Sequence, residues 1–202
     1  MTRWRRTASG IEVESERETY LVDRLILCAG AWTGQLLGGL LPLTCERQVP
    51  FWFSSQGKAC FLPDKMPIFI LEEASGFFYG IPDVGRGVKV ALTHQGRTVE
   101  PDQVDRRVTE EDSAPVKAFV EKRLPGLVRN PIASTTCLYT NTPDLNFVVG
   151  AHPDDGRVLI VSACSGHGFK FASVLGEVVA DMASDRRTAF DLSFIGVDRF
   201  VT

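Results

Sequence analysis

The 202-residue chain is notable first for what it lacks. No stretch approaches the roughly 18 consecutive apolar residues of a membrane-spanning helix, so no membrane segment is expected. The first ten residues, MTRWRRTASG, carry positive charge with no apolar run behind them, which excludes a secretory signal there. There is no basic surplus: the formal net charge is -3, and a nucleic-acid binder is not expected. Five cysteines (Cys28, Cys45, Cys60, Cys137 and Cys164) are widely spaced, with no Cys-x-x-Cys and no even disulfide framework. Reduced thiols and a cytoplasmic location are the reading that follows. Cys164-x-x-His167 supplies two metal ligands without a second cluster, so no metal site is expected. No G-x-S-x-G elbow supports a hydrolase. No repeat or low-complexity stretch occurs.

What is present has the composition of a globular protein, 44% apolar and 23% charged. Residues 10–18 alternate apolar and polar, as a half-buried strand does. Residues 22–28, VDRLILC, turn continuously apolar, as a parallel strand covered on both faces does. Ala29-Gly30-Ala31-Trp32 ends that strand, Thr33 caps a short helix over TGQLLGGL, and Pro42 stops it. RQVPFWF (47–53) is strand-like. PIFILEE, GFFYGIP and GVKVALTH are short runs separated by Gly, Pro and Asp, which predicts an antiparallel meander. A helix capped by Asp112 or Ser113, with Pro115 in its first turn, presents Val116, Phe119, Val120 and Leu124 and ends at Pro125-Gly126. TTCLYTNTPD is β-rich. FVVGAHPDDGRVLIVSA reads as a hairpin around Pro-Asp-Asp-Gly. Residues 172–183 repeat apolar groups at Val174, Leu175, Val178, Val179 and Met182, at helix spacing. α/β pieces thus lie at both ends with an antiparallel sheet between them. No helix precedes the strand at 22–28 to cover it, so a unit in front is expected.

The junction before the last helix is unusual. It reads Ser165-Gly166-His167-Gly168-Phe169-Lys170-Phe171. A lysine opposes the positive end of a helix dipole, so its placement there suggests a nearby anion. The bland alternative is a polar first turn with a solvated lysine.

The run DRLILCAGAWT, RQVPFWF, GFFYGIP…GVKVALTH, CLYTNTPD and SGHGFKFASVLGEVVADM resembles, in order and spacing, the C-terminal half of the monomeric sarcosine oxidase and N-methyltryptophan oxidase family. These are FAD-dependent amine oxidases of the D-amino-acid-oxidase-like superfamily. The resemblance spans residues 9 to 195. It implies an α/β (mixed α+β) fold: part of a discontinuous FAD-binding domain over 1–46 and 144–195, and an antiparallel-sheet substrate domain over 47–143. The family's N-terminal Rossmann unit, with its G-x-G-x-x-G turn, has no counterpart here. Gly38-Gly39 and Gly85-Arg86-Gly87 lack the spacing and the strand–helix context. The chain is therefore expected to be a fragment of an oxidase.

The resemblance also assigns residues. Cys137, by itself a small buried apolar group, matches the cysteine that tethers FAD covalently. Gly166, His167, Gly168, Phe169 and Lys170 match the loop at the flavin, and Lys170 also matches the lysine that binds the substrate carboxylate. Lys89, which shares a strand face with Ala91 and Thr93, matches the lysine that promotes O2 reduction; a solvent-facing lysine is the alternative. Tyr79 and Tyr139 match tyrosines of the substrate cavity, or are amphipathic sheet residues. The sarcosine-oxidase histidine after the strand lysine is Thr93 here, with His94 displaced by one. The implied activity is oxidation of a small secondary amino acid with O2, releasing H2O2, in partnership with the missing N-terminal half. Two alternatives stand: a non-catalytic remnant that folds or self-associates without flavin, and a dehydrogenase that passes electrons to a carrier.

Overall fold

The computed structural model describes residues 1–201. In chain order its elements are β1 (Arg3–Thr7), β2 (Gly10–Glu14), β3 (Thr19–Val22), β4 (Leu25–Leu27), α1 (Thr33–Leu36), β5 (Thr44–Gln48), β6 (Phe51–Phe53), β7 (Phe69–Glu73), β8 (Gly76–Ile81), β9 (Val88–Thr93), α2 (Glu110–Arg123), β10 (Pro131–Ser134), β11 (Cys137–Asn141), β12 (Val148–His152), β13 (Asp155–Ser162) and α3 (Ala172–Ala183). The fold is mixed α/β with antiparallel sheets. The chain divides into two compact units, one formed by residues 1–45 and 139–202, the other by residues 46–138.

The first unit holds an antiparallel β1-β2-β3 sheet and a β12-β13-β4 sheet. The β12–β13 hairpin forms around the turn at Pro153-Asp154, and β4 joins β13 in parallel, Leu25 opposite Val158 and Leu27 opposite Ile160. Alternation along β13 sends Leu159 to one face, packed with Val149, Val178 and Val179 of the α3 side, and Ile160 to the other, packed with Leu27, Leu37 and Leu41. The predicted run 22–28 is cut at Asp23-Arg24 into β3 and β4. It is also not covered on both faces: β4 is an edge strand and Ile26 is 43% exposed. The strand predicted over 10–18 ends at Glu14, and the helix predicted over 33–40 is a single turn, preceded by a 3-10 turn at Gly30–Trp32.

The second unit is a five-stranded sheet in the order β10-β6-β9-β8-β7, covered on one face by α2. Phe51, Phe53, Val88, Val90 and Phe78 point to α2, where Phe119 stacks on Phe78 at 4.2 Å between centroids. α2 begins three residues earlier than predicted. Thr109 is its cap, not Asp112 or Ser113, because Asp112 closes a reciprocal capping box with it. The Arg47 side chain, 4% exposed, spends its charge on Asp112 and donates also to the carbonyls of Asp105 and Arg107.

Candidate functional site

The sequence-predicted site residues fall into two groups, one in each unit. In the second unit, the register places Trp52 opposite Lys89 and Lys89 opposite Ile81, with Ala91 opposite Tyr79 and Thr93 opposite Phe77. All project from the sheet face away from α2. Lys89 Nζ lies 5.5 Å from the centroid of the Trp52 ring and 5.5 Å from that of Tyr79, so two aromatic faces hold one ammonium. Cys137 is half-buried in the same unit. Burial pushes its thiol pKa up, and the Lys89 charge pulls it down. Burial is the larger effect, so the thiol stays above its ordinary value and Lys89 offsets only part of the rise. His94, one residue past the strand, leaves the sheet: its φ is 55°, and its Nδ1 lies 3.7 Å from Glu46 Oε2. Glu46 is itself buried and accepts from the Gly96 amide at 2.6 Å and the Gln48 side chain at 2.7 Å. Trp52 carried no sequence signal of its own; only its place between buried Phe51 and Phe53 sends it to the opposite face.

In the first unit, β13 ends at Ser162 and the chain turns through two left-handed residues, Ser165 at φ 46° and Gly166 at φ 77°. Ser165 is buried, and its amide donates to the Thr140 carbonyl at 2.9 Å. A Cβ on Gly166 would lie 2.6 Å from the Tyr139 ring, and one on Gly168 would lie 1.6 Å from the Ala163 carbonyl oxygen. Both glycines are therefore required by close approach of the chain to itself. Tyr139 packs on Gly166. His167 Nε2 donates to the Leu145 carbonyl at 2.9 Å, and its ring lies 4.8 Å from that of Phe147. Phe169 is 97% exposed. Lys170 follows in a 3-10 turn, with Nζ 5.5 Å from the Phe171 ring.

The turn beneath His167 is braced by residues outside the sequence prediction. Asp144 accepts from Thr142 Oγ1 at 2.8 Å and from Arg199 at 2.8 Å, and Arg199 donates to the Phe147 carbonyl at 2.7 Å. The Arg199 guanidinium holds the Asp144 carboxyl well below the usual carboxylate range. A Asp144–Arg199 pair separated by 55 residues has no local spacing signal.

A groove of about 450 Å³ opens beside the loop in the same unit, lined by Ile26, Cys28, Gly30, Gly168, Phe169 and Gly176 among others. A Cβ at Gly30 or Gly176 would meet nothing within 4 Å, so these glycines leave open space that side chains would fill. Among the described residues no group of three or more His, Cys, Asp or Glu could hold a metal ion. No helix among them is long and apolar enough to cross a membrane.

Comparison with known proteins shows the family of the chain. The profile of the family described as FAD dependent oxidoreductase matches residues 1–182, and the chain belongs to that family. It is 39% identical over 196 residues to the monomeric sarcosine oxidase of Streptomyces avermitilis, covering 94% of this chain and 51% of the relative. It is 33% identical to an N-methyl-L-tryptophan oxidase of Escherichia coli, covering 99% of this chain and 54% of the relative. The chain thus spans about half the length of the curated relatives it matches. In fold it resembles NikD, an unusual amino acid oxidase essential for nikkomycin biosynthesis, with TM-score 0.82 and 21% identity over 96% of this chain and 53% of that one. It also resembles glycine oxidase from Geobacillus kaustophilus, with TM-score 0.74 and 19% identity over all of this chain and 52% of that one.

Proposed function

We propose that the chain forms the substrate-facing half of an FAD-dependent amine oxidase acting on a secondary amino acid, with O2 as acceptor and H2O2 as product. Membership of the FAD-dependent oxidoreductase family supports the cofactor. The observation that carries the chemistry is the ammonium of Lys89 held between Trp52 and Tyr79, in the unit that also holds Cys137.

FAD fits the residues present. In one unit Gly30 and Gly176 leave space that side chains would fill, and in the other, taken by itself, Cys137 offers a soft sulfur near a cation. When bound, the flavin supplies the two-electron acceptor. Cys137 Sγ would be the atom that holds it. The loop Gly166-His167-Gly168-Phe169-Lys170 would help to hold it, with His167 fixed by its bond to the Leu145 carbonyl. Lys170 binds the substrate carboxylate as a point charge. Tyr79, in one unit, and Tyr139, in the other, would each contribute to substrate contact. Lys89 keeps a positive charge where oxygen gains electrons, which stabilises the developing anion. In this reading residues 46–138 are the substrate domain and the other unit belongs to the FAD-binding domain, whose remainder is an N-terminal half.

Purified protein incubated with FAD tests the reading. A yellow colour that survives denaturation in the wild type and is lost in Cys137→Ala supports it, together with peroxide release on addition of sarcosine or N-methyl-L-tryptophan. Protein that stays colourless after incubation supports a flavin-free remnant instead. Turnover with an artificial electron carrier and no peroxide identifies a dehydrogenase.

A further inference from the structure

In the first unit the antiparallel β1-β2-β3 sheet meets the β12–β13 hairpin at a small cluster of side chains. Alternation along β1 sends Trp4 and Arg6 to one face and Arg3 and Arg5 to the other, where each arginine pairs with a glutamate of β2. The Trp4 ring lies 5.5 Å from that of His152, at 78° between planes, and its Nε1 donates to the Leu36 carbonyl at 2.8 Å. Arg6 donates to the Asp154 carbonyl at 3.2 Å and pairs with the Asp154 carboxylate at 3.5 Å. Arg157 donates to the Thr7 carbonyl at 3.3 Å.

His152 is the buried member of this cluster, 8% exposed. Its Nδ1 accepts the Asp154 amide hydrogen at 3.2 Å, which closes the hairpin turn. An imidazole nitrogen that accepts carries no proton, so this bond requires the neutral ring. A proton added there sets two N–H donors against each other in a nearly closed site, and the amide loses its partner. The neighbouring charges do not compensate. Asp154 is already paired with Arg6, and Asp155 is paired with Arg157 at 2.7 Å. Arg6 itself repels an imidazolium. On the 3-10 turn Val197–Phe200, which packs on β12, Asp198 folds back toward Gly196 and Arg199 is held by Asp144. Burial is the largest influence on His152, and it lowers the pKa from the ordinary value.

We propose that His152 is an acid-released latch: as the neutral ring it holds the β1-β2-β3 sheet to the β12–β13 hairpin, and on protonation that sheet loosens. The latch is independent of flavin. The folded state favours the neutral ring, so the hold is complete above the ordinary histidine value of about 6.5 and is lost as pH falls below it. Carboxylates ordinarily titrate at about pH 4, below that window, so the histidine is the member of the cluster that changes charge first. Protonation of a buried histidine that biases one interface is a known form of pH-dependent switch.

The experiment is hydrogen–deuterium exchange of the purified chain, without added FAD, at about pH 7.5 and about pH 5.5, either side of the ordinary histidine value, with rates corrected for the intrinsic pH dependence of amide exchange. Peptides covering residues 3–22 are expected to lose protection on acidification, while those of residues 46–138 keep theirs. His152→Asn, whose side-chain oxygen can take the Asp154 amide hydrogen without titrating, should keep residues 3–22 protected at both pH values. Arg6→Met, at a side chain 46% exposed, frees Asp154 to hold an imidazolium and should shrink the change between the two pH values. A loss as large in His152→Asn as in the wild type, a loss spread evenly over the whole chain, or protection of residues 3–22 that stays constant or rises on acidification overturns the latch. Should His152→Asn fail to fold, Arg6→Met decides, and an undiminished loss in that variant overturns the latch.

Discussion

Lys89 and Trp52 stand directly opposite each other on β9 and β6, and the ammonium of one lies 5.5 Å from the ring centroid of the other. Tyr79 meets the same ammonium at the same distance from the other side. The charge is thereby held over the sheet face away from α2, where Cys137 feels it.

Removing that charge should slow the sulfur. In Lys89→Met, only a backbone hydrogen bond still opposes burial at Cys137, so its thiol pKa rises further and its thiolate fraction at neutral pH falls. Peptide-resolved alkylation with iodoacetamide across pH measures this. Trp52→Leu should give a smaller shift in the same direction, since a cation–π contact contributes about 0.5–1 kcal/mol at an exposed site. Equal Cys137 alkylation profiles in all three proteins would sink the coupling.

The Asp112 side chain both caps α2 and neutralises buried Arg47. Asp112→Ala leaves the guanidinium without its charge partner in a site that is nearly closed to water. A cost of about 3–5 kcal/mol is expected for a buried pair broken on one side. Urea unfolding followed by far-ultraviolet dichroism reads it. Arg47→Met, which removes the charge as well as the pairing, should cost less.

Phe119 is the ring on which Phe78 and Phe69 stack. Phe119→Ala should destabilise residues 46–138 by about 3–5 kcal/mol through lost burial and the cavity left behind. Phe119→Leu should recover much of that. Both are readable by denaturant midpoint at constant slope.

Acid should loosen the turn under His167. The folded pKa of Asp144 is depressed, so its pairing with Arg199 stabilises fully above the unfolded carboxyl value and fades as pH falls. The stability difference between wild type and Asp144→Asn is therefore expected to be constant near neutrality and to shrink progressively below about pH 4. A difference that grows as the solution is acidified would contradict the sign.

Gly166→Ala should be far less tolerated than Gly176→Ala. The first adds a Cβ at positive φ, 2.6 Å from the Tyr139 ring, and the second meets open space. Thermal unfolding of the two variants separates them, with Gly176→Ala close to wild type or above it, since alanine favours a helix interior by roughly 0.5–1 kcal/mol.

Local patterns carried much of the fold. The β7-β8-β9 meander, the β12–β13 hairpin and α3 follow from period and turn chemistry that lie within a few residues of each other. What failed were boundaries set by partners elsewhere. The cap of α2 moved to Thr109 because Asp112 was needed at the third helical position, and the strand at 22–28 broke because only Leu25–Leu27 find β13. Strand alternation placed Lys89, Ala91 and Thr93 on one face, which the register repeats. The aromatic clamp on Lys89 was not legible, since Trp52 and Tyr79 reach it from two other strands. Nor was the Asp144–Arg199 brace, for the same reason.

The interrupted first unit also has a consequence for synthesis. β4 pairs in parallel with β13, Leu25 against Val158, and all of residues 46–138 lie between them in the chain. A nascent chain therefore exposes the apolar run of β4 until β13 has left the ribosome, while residues 46–138 can already close their own core. Long-range parallel pairing of this kind is slow and leaves strand edges open to the wrong neighbour. Connectivity favours early condensation of the continuous unit and later closure of the split one.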